Sequence, residues 1–96
     1  MPIRIIDTPL CQVYIQQGKG ELLVTASETG TITHVIHVTA LGRVPDLTVL
    51  FGNRESTDIR LLAKAIWRAL QKNMILCLGF SRRYPELQCV IDALTP

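Results

Sequence analysis

From Cys11 to Gln16 apolar and polar residues alternate, with Cys11, Val13 and Ile15 on one side and Gln12, Tyr14 and Gln16 on the other. A period of two marks a half-buried strand, because successive side chains point to opposite faces. Gly18-Lys19-Gly20 then turns the chain, glycine accepting the positive φ that a hairpin needs. Glu21–Ser27 reads as the returning strand, Glu28-Thr29-Gly30 as a second turn, and Thr31–Thr39 as a third strand. In the third strand Ile32, His34, Ile36 and Val38 share one face, and Thr31, Thr33, Val35, His37 and Thr39 the other. The expectation is an antiparallel meander with one apolar and one threonine-rich face. Ile3–Ile6, broken off by Asp7-Thr8-Pro9, adds a short edge strand.

Ala40–Asp46, with Gly42 and Pro45, is expected as the longest loop, and Leu47–Phe51 as a fourth strand ended by Gly52-Asn53. The period then changes. Across Ser56–Lys72 the residues Ile59, Leu62, Ala63, Ile66 and Leu70 recur at the spacing that draws one apolar stripe along a helix. Ser56 and Thr57 suit the N-cap, Asp58 suits the positive end of the helix dipole, and Asn73 suits a left-handed C-cap. Met74–Phe80 (MILCLGF) carries no polar side chain apart from its thiol and reads as a strand covered on both sides or nearly so. After Ser81-Arg82-Arg83-Tyr84, Pro85 opens a last helix whose Leu87, Val90, Ile91 and Leu94 repeat the helical stripe.

The predicted order is β-β-β-β-α-β-α with an additional N-terminal strand, an α/β (α+β) fold. A mixed, mostly antiparallel sheet covered by two amphipathic helices satisfies it, in two layers or three. At 96 residues one domain, residues 1–96, is expected.

Composition adds little to this and removes several classes. The chain is 48% hydrophobic and 19% charged, with a net charge of +2. That is globular, and too weakly basic to imply nucleic acid. Cys11, Cys77 and Cys89 are odd in number and form no CxxC, and Cys77 and Cys89 sit among apolar neighbours, so all three read as reduced core thiols. No apolar run approaches a membrane span and MPIRIIDTP has no signal-peptide core, which leads to the expectation of a soluble protein that stays inside the cell.

Candidate chemistry is thin. His34 and His37, three apart on one strand, point to opposite faces and cannot share a metal ion, and no other pair has zinc spacing. Cys77 lies in an apolar strand, a poor setting for a nucleophilic thiolate. Gly18-Lys19-Gly20 is too short for a phosphate-binding loop. No catalytic residue, metal or cofactor is therefore expected.

The basic residues say more. Arg60, Lys64 and Arg68 run at i, i+4, i+8 along the long helix with no interleaved acid. At about 100° per residue, Trp67 projects roughly a quarter-turn from the apolar stripe, beside Arg60 and Lys64, while Leu61 falls near Arg68. Arg60, Leu61, Lys64, Trp67 and Arg68 are thus the expected partner-binding face, since Trp and Arg are the residues most enriched at interface hot spots. The other meaning of this face is a solvated helix side.

The stretch LTVLFGNRESTDIRLLAKAIWRALQKNMILCLGF, followed by PELQCVIDAL, resembles the C-terminal half of the small proteasome assembly chaperones, the third and fourth of that group. The shared features are Leu50-Phe51-Gly52 ending a strand, a polar turn, a helix with Leu62-Ala63 and Ile66, an apolar strand and a closing amphipathic helix. The earlier meander is similar in element order. The resemblance implies a non-enzymatic chaperone subunit in cytoplasm and nucleus. It would pair with a related small chain or a copy of itself and bind a proteasome α-type subunit to assist α-ring assembly, with no nucleic acid, membrane or cofactor involved. The alternative from another class is a small-molecule-binding or regulatory α/β domain, with its ligand near Gly42–Asp46 or Gly52–Ser56.

Overall fold

A computed structural model describes residues 3–95; Met1, Pro2 and Pro96 lie outside the described residues. The strands are β1 (Ile3–Asp7), β2 (Gln12–Gln17), β3 (Leu22–Ser27), β4 (His34–Leu41), β5 (Val44–Phe51) and β6 (Met74–Gly79). Helix α1 (Thr57–Leu70) precedes β6, and a 3-10 turn, Tyr84–Leu87, leads into α2 (Gln88–Leu94). All six strands join one mixed sheet in the order β1-β2-β3-β6-β4-β5. The expected element order and fold class are those observed.

The wiring differs from the expected meander in one place. β1, β2 and β3 do form antiparallel neighbours, but β4 does not pair with β3. Instead β6 lies between them, parallel to β3 and antiparallel to β4. Its apolar sequence explains the central place, because every N–H and C=O of a middle strand finds a partner on one side or the other. The expected Ala40–Asp46 loop is absent for a related reason. β4 and β5 form a hairpin paired from Leu41↔Val44 onward, turning at Gly42 and Arg43, and Gly42 takes a φ of +67°. Pro45 is tolerated because β5 is an edge strand.

One side of the sheet carries the core. Val13, Ile15, Leu22, Val24, Ala26, Ile36, Val38, Met74, Leu76 and Leu78 are all buried there, at alternate strand positions. α1 lays Ile59, Leu62, Ala63 and Ile66 onto them, and α2 adds Val90, Ile91 and Leu94 beside α1. Both helices share this side, so the molecule has two layers. β6 is therefore covered by helices on one side alone, and on the other Ile75 and Cys77 are half-buried, short of the full cover on both sides its composition suggests.

The ends of α1 are held differently from expectation. Ser56 is the N-cap through its backbone carbonyl, which accepts from the Arg60 N–H at 3.1 Å, and its hydroxyl makes no capping bond. Gln71, not Asn73, takes the left-handed C-cap conformation (φ 54°), its N–H donating to the Trp67 carbonyl at 2.7 Å. Asn73 instead accepts from the Ala40 N–H at 2.9 Å, tying the β6 entry to β4. Asp58 accepts from the Tyr84 N–H at 2.8 Å and so pins the start of α1 to the turn before α2.

Candidate functional site

The side of the sheet turned away from the helices forms two cross-strand rows. One runs Ile5, Tyr14, Thr25, Cys77, Val35, Phe51. The other runs Ile3, Gln16, Leu23, Ile75, His37, Thr48. Ile3, Ile5, Tyr14, Leu23 and Phe51 are each between 40% and 59% exposed. Apolar residues exposed at this density in one patch mark an interaction surface more often than a free one. The register at β5 contributes too. Val35 faces Phe51 while Ile36 faces Val49, so Leu50 is the extra residue of a bulge and turns Phe51 onto the open face.

The charges on this face are few and one-sided. Glu21 and His37 form a pair, Nε2 to Oε2 at 2.9 Å. The Asp7 carboxylate accepts from the Gln12 amide at 2.9 Å, at the edge. Among the described strands the one Lys or Arg is Arg4, and it lies on the helix side, opposite buried Ile15. The open face is thus apolar and threonine-bearing at its centre, and slightly acidic at its rim.

The expected helix face is partly dismantled by the structure. Trp67 is 5% exposed and belongs to the core, so it does not border the basic side as a free anchor. A large ring a quarter-turn off the stripe can fold over the neighbouring small Ala63 and close the layer, and the buried Trp67 Nε1 has no hydrogen-bond partner. Leu61 is 40% exposed and Arg68 exposed, while Arg60 and Lys64 are half-buried. Arg60 leans over the turn between β5 and α1, its Nη1 donating to the Arg54 carbonyl at 3.5 Å. Arg60, Lys64 and Arg68 have no acidic partner among the described residues. A basic flank without its tryptophan remains.

The histidines and thiols sit as structural groups. His34 is buried on the helix side, Nδ1 2.9 Å from the Thr33 hydroxyl, and burial lowers its pKa. His37 lies on the opposite side, as the alternation requires. Cys11, Cys77 and Cys89 are unpaired and half-buried, and burial raises the Cys11 and Cys77 pKa values. Cys77 is not a core thiol as expected but a member of the open face. Among the described residues no group of three metal-ligating side chains comes together, and no helix is long and apolar enough to cross a membrane.

No protein-family model matches the chain, and no curated protein matches it in sequence.

Alternation alone separates Tyr14 from Val13 and Val35 from Ile36, yet nothing in the sequence states that both helices choose the same side.

Proposed function

We propose that the chain is a non-enzymatic subunit that pairs through its open sheet face with a second chain of the same fold. The pair assists assembly of the proteasome α-ring by binding an α-type subunit in the cytoplasm and nucleus. The observation that carries the first half is the uncovered row of Ile5, Tyr14, Val35 and Phe51 with its parallel row of Ile3, Leu23 and Ile75. Six strands of five to eight residues, about 4.8 Å apart and rising about 3.4 Å per residue, make a face of roughly 600 Å² in plan. That is on the order of the ~800 Å² each partner gives to a standard protein interface. Two such faces stack as a sandwich about 10 Å apart, interdigitating their side chains.

The second half rests on the resemblance of Leu47–Phe80 and Pro85–Leu94 to the small proteasome assembly chaperones. The basic flank of Arg60, Lys64 and Arg68, with exposed Leu61, then remains outside the sandwich and free to meet an acidic surface. Affinity purification of the tagged chain from its own cells, with the co-purifying proteins identified by mass, tests this reading. Proteasome α-type subunits together with a small chain, or a second copy, are expected. Recovery of the dimer without any α-type subunit contradicts the assembly role.

A further inference from the structure

On the helix side, one end of the β1–β2–β3 sheet is not roofed. α2 has seven residues, about 10 Å of helix, whereas the six residues of β2 extend about 20 Å. α2 packs on α1 and β1 and brings Cys89 toward Cys11, at the start of β2. The far end of β2 is left beside the C-terminal end of α1, and a cleft of about 560 Å³ opens there. It is lined by Ile3, Arg4, Ile15, Gln17, Leu22, Leu70 and Lys72.

The chemistry of this cleft is specific. Ile15 and Leu22, each 7% exposed, make an apolar floor with Leu70 as a wall. Arg4 comes from the edge strand and Lys72 from the turn after α1, so two cations far apart in sequence border one cavity. Among the described residues no acid lines it and neither cation has an acidic partner. Like charges over an apolar cavity repel one another, and a bound anion relieves that repulsion. The Gln17 side-chain amide donates to the Gly18 carbonyl at 2.9 Å, leaving the two cations as the charged groups of the cleft. The volume falls in the range of small-molecule sites.

We infer that this cleft binds an amphiphilic anion, an aliphatic chain ending in a carboxylate, with the tail on Ile15, Leu22 and Leu70 and the head between Arg4 and Lys72. Apart from Ile3, which stands at the sheet edge and borders both, the site lies on the helix side, away from the pairing face, and it does not depend on the proposed function.

Sodium decanoate is the probe. Titration of the methyl-labelled full chain by two-dimensional NMR should give saturable shifts concentrated at Ile15, Leu22 and Leu70. Arg4 and Lys72 are exposed, so Arg4→Ala with Lys72→Ala keeps the fold, checked by an unchanged melting temperature. That variant should bind decanoate about tenfold more weakly or worse, the loss of charge-assisted contacts to the head group. Decyltrimethylammonium, with the same tail and opposite charge, should not shift the three methyl groups saturably. The inference is overturned by unsaturable or diffuse shifts, by undiminished decanoate binding in the double variant, or by equal binding of the cationic amphiphile.

Discussion

Cys77 stands opposite Val35 across the β6–β4 ladder, with Thr25 on its other side, at the middle of the sheet face turned away from both helices. A thiol there is a reporter of whatever covers that face. Burial raises its pKa, so little thiolate exists at neutral pH and alkylation is slow to begin with. Pairing should slow it further. We expect the iodoacetamide labelling rate of Cys77, followed by peptide mass, to fall as protein concentration rises through the pairing range. A rate independent of concentration contradicts coverage of this face.

Trp67→Ala should behave as a core substitution. The ring is 5% exposed and packed with Leu62 and Ile66 in one cluster, so truncation should cost about 3–5 kcal/mol, beside about 2–5 kcal/mol for Leu62→Ala or Ile66→Ala. Urea denaturation measures all three. A near-wild-type midpoint for Trp67→Ala would return the residue to the helix surface.

The fate of Trp67 shows which part of the molecule was legible. Strand alternation placed Val13, Ile15, Ile36 and Val38 inward correctly, because a period of two leaves no choice once one face is buried. The stripe Ile59, Leu62, Ala63, Ile66 was equally readable. Angles near the stripe's border were not, since a large flexible ring settles on either side depending on neighbours such as Ala63. The insertion of β6 between β3 and β4 was hidden too: pairing partners far apart in sequence leave no local mark. Gly42 and Pro45 together suggest a loop over Ala40–Asp46, whereas glycine here makes a tight hairpin turn and an edge strand tolerates the proline. The second, threonine-bearing face is legible from alternation, but its apolar Leu23, Ile75 and Phe51, and the packing of both helices on the other side, are not.

Gly52 and Gly79 should resist replacement. Gly52 adopts a φ of +102°, and a Cβ there would meet the Thr33 carbonyl and the His34 ring. At Gly79 a Cβ would press on the Thr31 carbonyl and the Ser27 side chain. Each Gly→Ala change should lower stability by roughly 1–3 kcal/mol, the usual cost of overpacking or of a strained backbone. Gly30→Ala serves as the contrast: its φ of +88° is strained, yet no atom crowds its Cβ, and its loss should be smaller. Thermal melts of the three variants rank them.

Stability should fall on mild acidification, in part through His34. Its folded pKa is lowered below the ordinary value of 6.5 by burial, so below about 6.5 the unfolded chain binds the proton that the folded chain refuses. The contribution is fully present above that value and is lost as pH drops through it toward the folded value. His34→Gln should flatten this part of the profile of melting temperature against pH between about 7.5 and 5. An unchanged slope in the variant excludes His34 as its source.

The pairing of two sheet faces is the central claim, and sedimentation equilibrium tests it most directly. Leu23→Arg with Phe51→Arg puts two charges on the open face at positions that are 40% and 59% exposed, so the folded monomer should keep its melting behaviour. The wild-type chain, alone at micromolar concentration or with its co-purified small partner, should sediment as a two-chain species, and the double variant as a folded single chain. A wild-type monomer under both conditions, or a two-chain species that survives both arginines, would contradict the account.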